Sequence, residues 1–320
     1  MAFRSKIITL AFVLLLSGLL TACGTTTQSQ SSQADNSNKG SASANVTAID
    51  HKAGTTKITG VPKRIAVMEY GLLATVLSLG ETPIAYTDDG KQDTLQELGF
   101  LDKIKGYTSI GTRQQPNLEL LRTAKPDLII GDYARHKDIY NELSNIAPTL
   151  LLPDTKATYE DAIQNELIIG QALHKDTEAR AYVEAHQAKL QEVVSKAPKD
   201  KSYLIAALGE KVINPRTNLF FQPNMLQSAG LNYALTAADK KETARKVDLE
   251  QMLEIDPDIL FVTNEQFLEK WESDPLYKQL KAVQNNHVFV VSHSKWSFNR
   301  SLYGANVVLD EFEALLPKMK

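Results

Sequence analysis

Only one cysteine, Cys23, occurs in the chain, so no disulfide can form within it. The six histidines, His51, His136, His174, His186, His287 and His293, are scattered, with no pair at metal-ligand spacing. This pattern disfavours direct metal coordination by the protein. There is no Gly-rich phosphate loop and no nucleophile elbow, and nothing arranges the dispersed Ser, His and Asp residues as a triad. Catalysis therefore finds little support. A formal net charge of -3 leaves no basic surplus for a nucleic-acid partner, so any anion site must come from local arginines. The apolar run from Ile7 to Leu20 falls short of a membrane span.

That run has a different meaning. Arg4 and Lys6 precede it and Leu20-Thr21-Ala22-Cys23 follows, the layout of a bacterial lipoprotein signal with its lipobox. Residues 1–22 read as the signal peptide, and Cys23 reads as the lipidated first mature residue. The following stretch, through Asn45, is Thr, Gln, Ser, Asn and Ala with almost no large apolar side chain. It cannot bury enough surface to fold and is expected to be a flexible tether.

The stretch from Ile110 to His136 organises the remainder. Asn117 is placed to cap a helix, with Glu119 in the first turn where the helix dipole favours an acid. Pro126 stops that helix, and Leu128 to Ile130 read as a fully buried strand. The order recurs from Asp248: cap, Leu249-Glu250, apolar positions, Asp256-Pro257-Asp258, then Ile259 to Val262, with the same glutamate-to-proline spacing. Two copies in opposite halves argue for two similar lobes. At 320 residues the chain is long enough for two α/β domains.

Between the lobes, Thr158 to Leu173 reads as an amphipathic helix, followed by a helix opening at Asp176 and running to Ala197 with no internal Gly or Pro. At ~1.5 Å per residue it reaches roughly 30 Å, enough to cross from one lobe to the other, although an ordinary surface helix has the same pattern. The lobes are then 46–175 and 198–320, with residues 176–197 as linker. Tyr203 to Leu208 opens the second lobe as a strand, and Tyr303 to Leu316 closes the chain as a helix.

Arg113 and Arg135 in the first half, and Arg216, Arg245 and Arg300 in the second, fall in loops that follow strands or precede helices. A guanidinium presents a planar fork matched to carboxylates and stays charged when desolvated. Any one of them reads as a surface charge; as a set at equivalent lobe ends, they suit a ligand carrying several carboxylates. Tyr70, Tyr86, Tyr133, Trp296 and Tyr303 stand near the same loops, as cleft walls or as core. Glu119 and Glu250 occupy corresponding helix starts, which suits both dipole compensation and docking onto a basic partner.

Taken together, the lipobox, the duplicated Leu-Glu and Pro-Asp units and the long linking helix resemble the substrate-binding lipoproteins of ABC importers for iron-siderophores and cobalamin. Gly111-Thr112-Arg113-Gln114-Gln115-Pro116-Asn117-Leu118-Glu119, Lys125 to Ile130, Arg135-His136, Asp274-Pro275-Leu276 after Trp271, and Trp296 ahead of Arg300 are similar to the iron(III)-dicitrate-binding branch. The resemblance implies an α/β fold of two Rossmann-like lobes with central parallel sheets, joined by a single long α-helix, with the ligand cleft between them. It also implies a monomeric, non-enzymatic receptor on the extracytoplasmic face of the cell membrane, held there by lipid. The receptor would need no cofactor, since iron(III) arrives held by a carboxylate siderophore such as citrate. Arg113, Arg135, Arg300, Arg216, Arg245, Trp296 and Tyr133 would meet the ligand, and Glu119 and Glu250 would dock on the ABC permease. A hydroxamate or catecholate siderophore, haem or cobalamin remains an alternative ligand, and a surface lipoprotein enzyme the alternative of another class.

Overall fold

The computed structural model describes residues 45–320. The signal peptide, Cys23 and nearly all of the tether lie outside the described residues. Strands β1 (Val46–His51) and β2 (Gly54–Thr59) pair antiparallel as an N-terminal hairpin.

The first lobe carries β3 (Ile65–Val67), helix α1 (Tyr70–Ser78), β4 (Ala85–Tyr86), α2 (Gln92–Glu97), β5 (Thr108–Ser109), α3 (Leu118–Ala124), β6 (Leu128–Asp132), α4 (Tyr133–His136), α5 (Tyr140–Ser144) and β7 (Thr149–Leu152). Its five strands are all parallel, in the order β5-β4-β3-β6-β7. The chain reverses direction across the sheet between β3 and β6, the switch point where an open parallel sheet leaves a crevice beyond its strand ends. Strands β3, β6 and β7 are buried throughout, which is why they read as unbroken apolar runs.

Helices α6 (Tyr159–Ala172) and α7 (Asp176–Ser195) lead to the second lobe: β8 (Tyr203–Leu208), β9 (Ile213–Pro215), α8 (Phe221–Ser228), α9 (Leu249–Ile255), β10 (Ile259–Thr263), α10 (Leu268–Glu272), α11 (Lys281–Gln284), β11 (Val288–Val290), α12 (His293–Ser297) and α13 (Leu302–Leu315). The sheet order is β11-β10-β8-β9. Unlike its counterpart it is mixed, because β9 runs antiparallel to β8 through Ala206–Pro215 and Leu208–Ile213 pairings.

The repeated sequence unit is a repeated structure. Asn117 Oδ1 accepts from the backbone N–H groups of Glu119 and Leu120 at 3.1 and 3.0 Å, capping α3. Asp248 caps α9 by accepting from Gln251 N at 2.9 Å. Each helix ends on a residue in the left-handed region, Lys125 (φ 50°) and Asp256 (φ 40°), directly ahead of proline. The aspartate after each proline then fixes the start of the neighbouring strand. Asp127 accepts from Lys63 N and Arg64 N, both at 2.8 Å, and Asp258 from Ser202 N at 2.8 Å.

Helix α7 joins the lobes, and it does not stand alone. Tyr159, Ala162 and Ile163 of α6 belong to the second-lobe core, whereas Ile169, Ala172 and Leu173 belong to the first. Ala179 of α7 starts in the first-lobe core and Val183, Leu190, Val193 and Val194 continue into the second. At Gly170 an added Cβ would overlap the Ala179 methyl, so the two antiparallel helices approach as closely as glycine permits.

Candidate functional site

The carboxyl ends of the two sheets meet. Tyr70, just after β3, lies against Phe298, beyond β11, with ring centroids 6.1 Å apart. A Cβ at Gly71 would overlap Asp154 Oδ2 and stand 3.0 Å from the Arg300 carbonyl oxygen. That position lets α1 start directly beneath the second lobe's loop. Ser292, the N-cap of α12, also donates to the Glu97 carboxylate of α2, adding a polar contact between the lobes.

In the first lobe an acid follows each of four strands: Glu69 after β3, Asp88 and Asp89 after β4, Asp132 at the end of β6 and Asp154 after β7. Glu69, 1% exposed, stands between two of the expected arginines, with Oε1 2.6 Å from Arg135 Nε and Oε2 3.4 Å from Arg113 Nη1. Arg113 also donates from Nε to Asp89 at 2.7 Å and lies 4.0 Å from the centre of the Tyr70 ring. Arg135 Nε reaches Thr155 Oγ1 at 3.0 Å. In front of both arginines is a cavity of about 310 Å³ lined by Asp89, Lys91, Thr112, Arg113, Gln114 and Arg135.

Burial shifts two of these carboxyls, Glu69 and Asp154. Burial, then the Asp154 charge, push Glu69 well above the usual carboxylate range, against the pull of Arg113 and Arg135. Burial and Asp132 push Asp154 up to about 7, while Arg300 and the Leu72 N–H (3.0 Å) favour its charged form.

In the second lobe two cations, Arg216 and Arg300, have no carboxylate in direct contact; Asp154 and Glu69 of the first lobe act on Arg300 only at longer range. Arg216 and Arg300 stand 4.5 and 5.1 Å from the centre of the Phe220 ring. Among the described residues no carboxylate oxygen lies within 4.0 Å of either guanidinium. Burial lowers the pKa of both, and for Arg216 the Arg300 charge adds to it. His293 completes this wall: it holds Thr263 Oγ1 through Nδ1 at 3.1 Å and packs edge-on to Phe298 at 5.0 Å, and burial and Arg216 lower its pKa.

The expected residues therefore divide. Arg113, Arg135, Arg216 and Arg300 come together where the lobes meet. Arg245 is held by its own neighbour, with Nε and Nη2 2.7 and 2.8 Å from the Glu242 carboxylate. Trp296 is a correction: it is fully buried, its ring 5.0 Å from Phe261 and its Nε1 donating to Glu311 at 2.7 Å, so it builds core instead of lining a cleft. Tyr133 is exposed and opens onto a separate cavity of about 460 Å³ with Lys52, Lys137, Pro153 and Lys156. Tyr70 supports Arg113, whereas Tyr86 is wholly buried and Tyr303 packs on Phe100. Glu119 and Glu250 are both solvent-exposed, Glu119 pairing with Arg122 at 2.6 Å.

The profile of the periplasmic binding protein family matches residues 65–293, from β3 to the start of α12. This chain belongs to that family. Such a protein is a binder and not an enzyme, and an arginine-rich site between paired lobes suits that role. Among its relatives, the Bacillus subtilis (strain 168) protein YhfQ, provisionally assigned as an ABC transporter substrate-binding lipoprotein, is 36% identical over 98% of this chain and 99% of its own. The Fe(3+)-citrate-binding protein YfmC of the same strain is 34% identical, covering 91% of this chain and 92% of its own. The crystal structure of the petrobactin-binding protein YclQ from Bacillus subtilis superposes with a TM-score of 0.73 at 22% identity, over 85% of this chain and 99% of that one. At that identity the likeness speaks for the fold alone.

Several members of this periplasmic binding protein's site escaped the sequence reading: Glu69, Asp89, Asp154, Phe220, His293 and Phe298. A signal existed for the acids, since each lies at or just past the carboxyl end of a first-lobe parallel strand. None existed for Phe220, whose role depends on two arginines arriving from distant segments.

Proposed function

We propose that this protein is the extracytoplasmic receptor of an ABC importer and that it captures an anionic ferric chelate, ferric citrate foremost. The observation that carries the reading is the pair Arg216 and Arg300, neither in direct contact with a carboxylate among the described residues, beside the Arg113 and Arg135 fork. Half-buried cations with no carboxylate against their guanidiniums suit a ligand that brings its own carboxylates. The 34% identity to a protein named for Fe(3+)-citrate binding supports the same choice. Iron is cargo in this scheme: citrate holds it, and the arginines hold the citrate. Glu119 and Glu250, exposed at the starts of α3 and α9, dock on the permease, and the lipid on Cys23 tethers the receptor to the membrane.

Isothermal titration with a panel of ferric citrate, a ferric hydroxamate, a ferric catecholate, haem and cobalamin tests the ligand. Saturable binding of ferric citrate alone is expected. Selective binding of a neutral chelate or of cobalamin overturns the reading. Both tryptophans are buried in the second-lobe core, Trp271 at 8% exposure and Trp296 at 0%, so heat is a more direct readout than intrinsic fluorescence.

A further inference from the structure

Glu69 has features that anion capture alone does not require. It is nearly inaccessible to solvent, sits at the switch point of the first sheet, and touches two guanidiniums that come from different elements: Arg113 from the loop before α3 and Arg135 from α4. Its carboxylate accepts from Arg113 Nη1 and lies in ion-pair contact with Arg135 Nε, whose hydrogen goes to Thr155 Oγ1, while Asp89 occupies Arg113 Nε. Among the described residues neither the Nη groups of Arg135 nor Nη2 of Arg113 makes a hydrogen bond, and both side chains line the 310 Å³ cavity, whereas Glu69 does not. Glu69 thus sits behind the arginines and does not compete with a ligand in front of them. Two like charges brought side by side would repel; Glu69 offsets that repulsion while it is ionised, and its burial works against ionisation.

The groups around Glu69 are identified on every side: Arg113, Arg135, Asp132 at the end of β6 and Asp154 after β7, with Tyr70 and Tyr86 from α1 and β4 and Arg300 from the second lobe. A polyanion seated in front of the arginines adds negative charge to this enclosed cluster. The acids behind have no solvent to screen that charge, so their protonated forms gain in stability.

We propose that Glu69 is the positioning residue of the first-lobe anion site, gathering Arg113 and Arg135 from behind and, together with Asp154, taking up a proton from solvent as an anionic chelate docks in front. Capture is then linked to pH. The bound state holds more protons than the free state, so affinity rises as pH falls. The inference rests on the reading of the protein as a receptor for an anionic chelate.

The test is calorimetric titration of the full chain with ferric citrate at pH 7, in PIPES and in Tris, buffers of small and large ionisation enthalpy. Wild-type protein is expected to show a buffer-dependent enthalpy equal to a substantial fraction of one proton taken up, and an affinity that falls by up to about tenfold per pH unit between pH 6 and 8. Glu69→Gln, nearly isosteric, is expected to bind with most of that uptake lost and a flatter pH profile, and Asp154→Asn to show a partial loss. Because pH changes the chelate identically for every variant, the difference between variants isolates the protein's protons. Equal uptake in wild type and Glu69→Gln overturns the inference and leaves the ligand assignment standing. If the panel selects another anionic chelate, the citrate reading falls, and the same buffer pair with that chelate still decides the role of Glu69. Selection of a neutral chelate overturns both.

Discussion

Arg216 and Arg300 are held by the same ring: their guanidinium carbons stand 4.5 and 5.1 Å from the centre of Phe220. An aromatic face stabilises cations that have no carboxylate in direct contact, and it spaces these two for a ligand with more than one carboxylate. Arg216→Ala or Arg300→Ala is expected to weaken ferric citrate binding by roughly 10- to 100-fold, the scale of a charge-assisted hydrogen bond. Arg245→Ala, whose charge Glu242 already answers, is expected to change it less than about threefold. Titration calorimetry distinguishes the two classes, and equal losses at all three positions would remove the special standing of the Phe220 pair.

Gly71 tests how closely the lobes must meet. Gly71→Ala forces a methyl group into the Asp154 carboxylate and towards the Arg300 carbonyl, and overpacking of this kind costs about 1–3 kcal/mol. A lower urea midpoint at unchanged m value is the expected result.

Glu119 and Glu250 extend into solvent from the N-terminal turns of matched helices. Reversing both charges to Lys is expected to abolish iron uptake in cells while ligand affinity stays within about twofold, since neither residue belongs to the arginine cluster. Normal uptake by the double variant would end the docking assignment.

Glu166 on α6 is fully buried, and among the described residues its carboxyl takes one hydrogen bond, from the Ser78 hydroxyl of α1 at 2.8 Å. Burial pushes its pKa up to about 8. The folded chain therefore binds a proton that the unfolded chain releases at ordinary carboxylate pH. Stability from this group is complete below the unfolded pKa and is lost as pH rises towards 8, at up to about 1.4 kcal/mol per pH unit. Urea unfolding at pH 5, 6, 7 and 8 should show Glu166→Gln with a flatter stability profile than wild type. Parallel profiles would mean that Glu166 does not drive the change.

Local chemistry was legible wherever the cause is local. Asn117, Asp248, the two prolines and the buried apolar runs specify helix starts, helix stops and strands within a few residues, and the repeated unit folds the same way twice. The run from Ser292 to Arg300 reads as loop, yet it contains α12. Its helix rests on the Ser292 cap, which accepts from Lys295 N at 3.1 Å, and on Trp296 buried against Phe261. Short elements such as this, β5 and β9 are formed by tertiary contact, and their own propensity is too weak to announce them.

Caps, prolines and apolar periodicity act over a few residues, so the two α/β lobes, their joining helix and most of the arginine-bearing loops were legible in the chain alone, although Arg135 lies on the short helix α4 and not in a loop. Only the tertiary structure decided which arginines are free. Arg113 and Arg135 meet Glu69 across separate elements, Arg245 is answered by Glu242, and Arg216 and Arg300 meet at the Phe220 ring with no carboxylate in direct contact among the described residues. Charge compensation depends on distances through space, and those are set by how the strand ends of two lobes come together.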